Sequence, residues 1–449
     1  MFSREFVVTV KPSGQVQRLV VFVEHYPPFL GSDRTIFELS KRVAERGVKV
    51  HFIATQPLRY LVGRRPPAWE YKENWTRPPP KIHDNITARH LVLDQRAVGL
   101  WLLIAPLAYV LTVVLFTGRA IKEVVRFGPD LIIAANASPI VGMVALLSAK
   151  LTVHPLFMGC PDWMTAYAAG LTGQKMNSLG MVLLHIVEMR LYKWATRVFA
   201  VTDFLKRLLT RYSVDPNRID VIPNGVDTQQ FSPSVEGLAV RKKYRLEERC
   251  VVLLSGHLEE WAGVSLVYDL AMKLDREFPK SNVLLVGTGS SITPLFEKLF
   301  KDRLAHMVTY AGLQPFEEMP EFTGASDIAL CIFPNTPVSH AASPLKVFEY
   351  MGAGKAIVAT RVAGTVEVLD DNTGVLVPPG DVEALCGAVV NLCRDPELRK
   401  RIGANARLLA ERKYSWQRLA EVFMDACIRA ATRQQGLLIR KSNAPMDSV

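Results

Sequence analysis

Lys346 and Glu349 stand one helical turn apart in SPLKVFEYMGAGKAIVAT, residues 343–360. Pro344 suits the first turn of a helix, where its missing N–H would have no intrahelical partner. A helix N-terminus presents unpaired N–H groups and a partial positive charge, so it attracts phosphate. A lysine in that turn opposes the dipole unless an anion is bound there. A carboxylate one turn on accepts hydrogen bonds from two adjacent hydroxyls, as on a ribose. Lysine for phosphate and glutamate for ribose together suit a sugar nucleotide. The alternative is a helix carrying an ordinary solvated Lys and Glu.

The elements that must position this pair follow a strand–helix rhythm that runs twice. In the first half QRLVVFVE (17–24), VKVHFIAT (48–55), DLIIAANAS (130–138), HPLFMGCPD (154–162) and RVFAVTD (197–203) read as strands, and TIFELSKRVAERG (35–47) as a helix with a glycine stop. The second half restarts with ERCVVLLSGHL (248–258), NVLLVGTGSS (282–291), MVTYAGL (307–313), IALCIFP (328–334), KAIVAT (355–360) and TGVLVPP (373–379). Apolar strands alternating with helices predict parallel sheets covered on both faces. The fold class is α/β, two doubly wound Rossmann-like domains facing a cleft, with ligands at the carboxyl ends of the strands. The join is expected near the Pro/Gly/Asn-rich IDVIPNGVDTQQFSPS (219–234). The expected domains are 1–222 and 223–413. A helix over 414–436 is expected to return to the first domain, followed by a disordered tail over 437–449. RRPPAWEYKENWTRPPPK (64–81) reads as a basic, proline-rich insertion, and NTPVSHAASPLK (335–346) as a loop.

The 449 residues are 49% hydrophobic and 22% charged, which excludes a disordered chain. A net charge of +11 points to anionic partners. The six cysteines form no CxxC pair and mostly sit in apolar surroundings, as expected of reduced thiols in the cytoplasm. MFSREFVVTVKPSG has no signal-peptide pattern.

Taken in order, these stretches resemble the GT-B glycosyltransferases of family 4, the retaining "glycosyl transferases group 1" type. The resemblance runs roughly from Arg18 to Ala431. It rests on YPPFLGSDRTIFELSKRVAERGVKVHFIAT, RVFAVTDFLKRLL, IDVIPNGVDTQQFSP, VVLLSGHLEEWAGV, VLLVGTGS, ASDIALCIFP, SPLKVFEYMGAGKAIVAT and GTVEVLDDNTGVLVPPGDVEAL, in register. It implies that Glu349 holds the donor ribose, and that Lys346 with the backbone of Ser343, Pro344 and Leu345 meets the donor phosphates. It also implies that Gly287, Thr288 and Gly289 line the donor site, and that Gly31 and Ser32 approach the donor phosphate and the acceptor. Asp162 matches an aspartate beside the transferred sugar, with a helix-capping role as the alternative. Glu367 matches a glutamate in the following loop.

Four positions depart from the family pattern. Ala341 replaces a glutamate that contacts the donor sugar. His257 and Ala262 stand where an arginine and a lysine are usual, and Pro161 replaces a histidine. His340, His257, Glu259 and Glu260 lie close enough in sequence to substitute. The implied reaction is sugar transfer from a nucleoside diphosphate to an acceptor hydroxyl with retained configuration. It needs no metal or other cofactor, since Lys346, His257 and the 343–346 amides would stabilise the leaving diphosphate. Lys346 and Asp162 are the candidate catalytic residues.

One segment stands outside this scheme. AVGLWLLIAPLAYVLTVVLFTG (97–118) is uncharged and long enough to span a bilayer. A spanning helix would put strands of one sheet on opposite sides of the membrane. A buried helix, or one docked on the membrane surface, remains. The flanking Arg89, Arg96, Arg119, Lys122 and Arg126 favour docking against anionic headgroups. Docking would place the protein at the cytoplasmic face with a lipid-linked or glycan acceptor. The rivals are a sugar-nucleotide epimerase or phosphorylase of the same architecture, and a non-catalytic sugar-nucleotide-binding protein. A nucleic-acid binder would explain the charge, but no aromatic-basic platform is evident, and no nucleic-acid partner is expected.

Overall fold

The computed structural model describes residues 15–26, 31–55, 79–92, 105–172 and 174–442. Residues 97–104 of the apolar segment, most of the proline-rich insertion and the final residues 443–449 lie outside the described residues. The chain divides into two compact units, Met1–Ile222 with Ala420–Val449, and Pro223–Leu419.

The first unit runs β1 (Arg18–Val23), α1 (Gly31–Glu45), β2 (Lys49–Thr55), β3 (Ile86–Leu91), α2 (Ala105–Phe127), β4 (Leu131–Ala134), α3 (Val141–Leu151), β5 (Leu156–Cys160), α4 (Met164–Thr172), α5 (Leu179–Trp194), β6 (Arg197–Ala200), α6 (Asp203–Arg211) and β7 (Ile219–Val221). Among the described residues its strands form one parallel sheet in the order β3-β2-β1-β4-β5-β6-β7. Strand order reverses between β1 and β4, the kind of point where open α/β sheets bind ligands. Apart from Arg18 at the start of β1, the central strands are apolar because helices cover both faces. The edge strand β3, ITARHL, alternates buried and accessible residues instead. That polar alternation hid it from a search for buried strands.

The second unit runs α7 (Leu238–Tyr244), β8 (Cys250–His257), α8 (Leu266–Glu277), β9 (Ser281–Thr288), α9 (Ile292–Lys301), β10 (Val308–Gly312), α10 (Met319–Gly324), β11 (Ile328–Cys331), α11 (Pro337–Ala341), α12 (Leu345–Gly352), β12 (Ala356–Thr360), α13 (Ala363–Val366), β13 (Val375–Val377), α14 (Val382–Arg394) and α15 (Pro396–Leu409). Its parallel sheet has the order β10-β9-β8-β11-β12-β13. Successive residues of a strand feed opposite layers of core, as the two-residue period requires. Val252, Leu254, Val283, Leu285 and Leu330 pack on one side of the sheet. Val251, Leu253, Leu284, Val286 and Ala329 pack on the other.

Helix α16 (Trp416–Ser442) begins in the second unit, and from Ala420 it belongs to the first. There Phe423 packs against Phe157 of β5 and Phe199 of β6, at ring distances of 6.2 and 6.1 Å. Asp220 of β7 takes two bonds from Arg197 and one from Arg429 of α16. The helix continues past Gly436, where disorder was expected, and the supposed loop 335–346 contains the short helix α11. Thr336 caps that helix by accepting the Ser339 amide at 3.2 Å. All six cysteines are buried free thiols.

Candidate functional site

In the second unit the strand ends are shaped by glycine. Register pairs Gly256 with Gly287 and His257 with Thr288. Gly287 has φ +139°, and a Cβ there would lie 1.9 Å from the Gly256 carbonyl oxygen. A Cβ on Gly289 would lie 1.9 Å from the Leu258 oxygen. The two backbones therefore approach as closely as only glycine permits. Gly256 itself has φ +107°, and the space its Cβ would fill ends 3.6 Å from Lys346 Nζ. The lysine thus leaves the first turn of α12 and lies over the carboxyl end of β8, 5.7 Å from the Phe333 ring centroid.

Several contacts fix that helix start. The Ser343 carbonyl accepts the Asn224 side-chain amide at 2.6 Å. The hydroxyls of Tyr350 in α12 and Ser255 in β8 are 2.8 Å apart. A Cβ on Gly364 would fall 1.7 Å from the Ala342 carbonyl, so α13 presses directly on this loop. Pro344 and Leu345 follow at the start of α12, where the Val347 amide donates to the Pro344 carbonyl at 3.1 Å. Burial lowers the Lys346 pKa below the ordinary lysine value, against opposing effects of Cys331 and Glu349. Burial also lowers that of His257, Lys346 lowers it further, and Glu259 opposes both. Lys346, Glu349, His257, Gly287, Thr288, Gly289 and Ser343–Leu345 thus share one end of the second sheet.

Two of the departing positions hold small, buried residues. Ala341 and Ala262 are 1% and 2% exposed. Two of the offered substitutes have other work. His340 lies 2.8 Å from Asn335 Oδ1 through Nε2 and accepts the Ala363 amide at Nδ1. Glu259 accepts the Ser290 amide at 2.9 Å and the Ser290 hydroxyl at 2.5 Å, tying the loop after β8 to the loop after β9.

In the first unit Gly31 and Ser32 open α1 at the carboxyl end of β1. Asp33 holds that junction by accepting the His25 amide at 2.9 Å, with the His25 ring 3.3 Å away. Asp162 follows β5, next to the buried Pro161. Burial pushes its pKa up to about 7, with a further push from Glu188. Glu188, absent from the residues picked by motif, is 1% exposed on α5. Its carboxylate accepts the amides of Met164 and Thr165, each at 3.0 Å, and the Thr165 hydroxyl at 2.5 Å. It therefore caps α4 from a neighbouring helix. The available signal was an acid among buried positions of an apolar helix, at the same face as Met181 and Met189. No group of three or more metal-ligating side chains occurs among the described residues.

A family model described as "Glycosyltransferase Family 4" matches residues 30–230, and one described as "Glycosyl transferases group 1" matches 239–409. The chain belongs to the GT-B glycosyltransferases. Among similar proteins, a sulfoquinovosyl transferase of Arabidopsis thaliana is 26% identical over 309 residues, covering 67% of this chain and 56% of that protein. A GDP-mannose-dependent alpha-(1-6)-phosphatidylinositol monomannoside mannosyltransferase of Mycolicibacterium smegmatis is 28% identical over 212 residues, 45% of this chain and 56% of that protein. The matches span about half the length of these curated relatives. HepE of Anabaena, solved in complex with UDP and glucose, shares the GT-B fold with a TM-score of 0.63 at 17% identity, covering 96% of this chain and 100% of HepE.

Proposed function

We propose that this protein transfers a sugar from a nucleoside diphosphate sugar to an acceptor hydroxyl, with retained configuration and without a metal. The observation that carries the reading is the Lys346 ammonium, set over the Gly256–Gly287 pair at the start of α12. Burial lowers its pKa, and a diphosphate bound beside it would favour its charged form. The Leu345 and Lys346 amides at the start of α12 add donors, and fixed dipoles aimed at a leaving group lower the barrier without reorganisation. Glu349, one turn on, receives the ribose hydroxyls. Asp162 steers the acceptor hydroxyl or stabilises the oxocarbenium ion.

The acceptor is lipid-linked or a glycan, met at an anionic membrane surface on the cytoplasmic side. No helix among the described residues is long and apolar enough to cross a membrane. Helices α2, α3 and α5 pack in a row. On α2, Val110, Val114 and Leu115 are exposed, and on α5 Leu179, Val182, Leu183 and Ile186 are exposed. Arg119, Lys122, Arg126 and Arg190 are exposed further along the same helices. Apolar side chains at one end and cations at the other suit insertion beneath anionic headgroups. The mannosyltransferase among the relatives bears a phosphatidylinositol acceptor in its name.

A second reading, sugar-nucleotide binding without transfer, draws on the buried Ala341 and Ala262. A thermal-shift screen against UDP-, GDP- and ADP-sugars, repeated with Glu349→Ala, tests the donor site. The expected result is a rise with one nucleotide class that the variant abolishes; no rise with any donor overturns both readings. Released nucleoside diphosphate then separates transfer from binding.

A further inference from the structure

We propose that Glu188 is the positioning residue for Asp162, clamping the first turn of α4 so that Asp162 is presented at the carboxyl end of β5. This rests on the role given to Asp162 above. The clamp is unusual in its reach. A helix N-terminus is ordinarily capped by the residue that precedes it, here Asp162 or Trp163. Instead the Met164 and Thr165 amides and the Thr165 hydroxyl all go to one carboxylate 23 residues or more further along the chain, from α5. That leaves the Asp162 carboxyl uncommitted to the cap, although capping was the alternative expected from its position. Only its backbone is held locally, by the Cys160 thiol donating to the Asp162 carbonyl at 3.6 Å.

Glu188 also acts on Asp162 through its charge. Around them stand the Cys160 thiol, the Tyr192 phenol and the Thr165 hydroxyl, with His185 of α5 against the Trp163 ring at 6.0 Å. Burial drives the Glu188 pKa up to about 7, while the Thr165 and Met164 bonds pull it down. Glu188 in turn adds to the rise at Asp162. Burial is the larger cause of that rise, and the negative charge of Glu188 adds to it.

The test is Glu188→Gln, which keeps a carbonyl oxygen for one amide and removes the charge. Carboxyl ionisation is followed by NMR on protein labelled with 13C-aspartate, the Asp162 signal being identified by its loss in Asp162→Asn. Asp162 in the wild type is expected to titrate near 7, and in E188Q at lower pH. In parallel, kcat should fall on the order of tenfold, with its pH profile moved the same way and the donor KM held. An unmoved Asp162 titration in folded E188Q overturns the proposal, whether or not the protein turns over any donor. Should the wild type show no turnover while the titration moves, the functional reading fails and the positioning survives. If E188Q does not fold, Glu188→Asp serves instead: its shorter side chain withdraws the carboxylate from the Met164 and Thr165 amides, and an Asp162 titration unchanged from the wild type overturns the proposal.

Discussion

At the scale of single residues, charge placement sets the expectations. Lys346→Met removes the cation over the Gly256–Gly287 pair and should lower kcat/KM by about 10²–10³, since it deletes one donor to a developing charge. Its melting temperature should not fall, because the ammonium is held below its ordinary pKa by burial. Steady-state kinetics and a thermal melt check both halves. Asp162 and Glu188 carry a second expectation. Their folded-state pKa values, each about 7, lie above the unfolded carboxylate range near 4. The folded state then binds more protons between those limits, so their contribution to stability falls as pH rises from about 4 through about 7. Asp162→Asn should melt above the wild type at pH 8 and level with it near pH 4. Lys346 and Glu349 were legible because Pro344 marks a helix start beside them. Glu188 was not, because the amides it holds lie in another element and nothing local announces the contact. The substitutes offered for the departures fared unevenly: His257 lies beside Lys346, while His340 and Glu259 are engaged in bonds that shape the loops.

Among the elements, the glycine-lined ends of β8 and β9 are the least tolerant feature. Gly287→Ala must place a methyl 1.9 Å from a carbonyl oxygen at φ +139°. A cost of about 2–5 kcal/mol is expected from backbone strain and overpacking together. Urea unfolding should show it as a lower midpoint with little change in slope. The strands were readable because parallel sheets demand apolar runs, and the second unit's strands alternate between two core layers as expected. What escaped was settled by partners distant in sequence. The polar β3 pairs along β2, from Val50 with Ile86 to Thr55 with Leu91. The brief α11 depends on a threonine cap. At Ile219–Val221, where the join was expected, the chain first completes the edge of the first sheet through β7.

For the molecule as a whole, the net charge of +11 and the exposed apolar side chains of α2 and α5 belong to one expectation. The protein should co-sediment with phosphatidylglycerol vesicles and not with phosphatidylcholine vesicles, and rising salt should release it. The double variant Val114→Asp, Leu183→Asp should lose binding on the order of tenfold or more while its donor thermal shift persists. Equal binding to both lipids would remove the electrostatic half of that account. The six thiols have a use of their own. Cys160 and Cys427 lie in the first unit, and Cys250, Cys331, Cys386 and Cys393 in the second. Buried thiols with raised pKa values resist alkylation until their surroundings open. A pulse of iodoacetamide during denaturation, read by peptide mass, would therefore time the opening of each half separately without any introduced label.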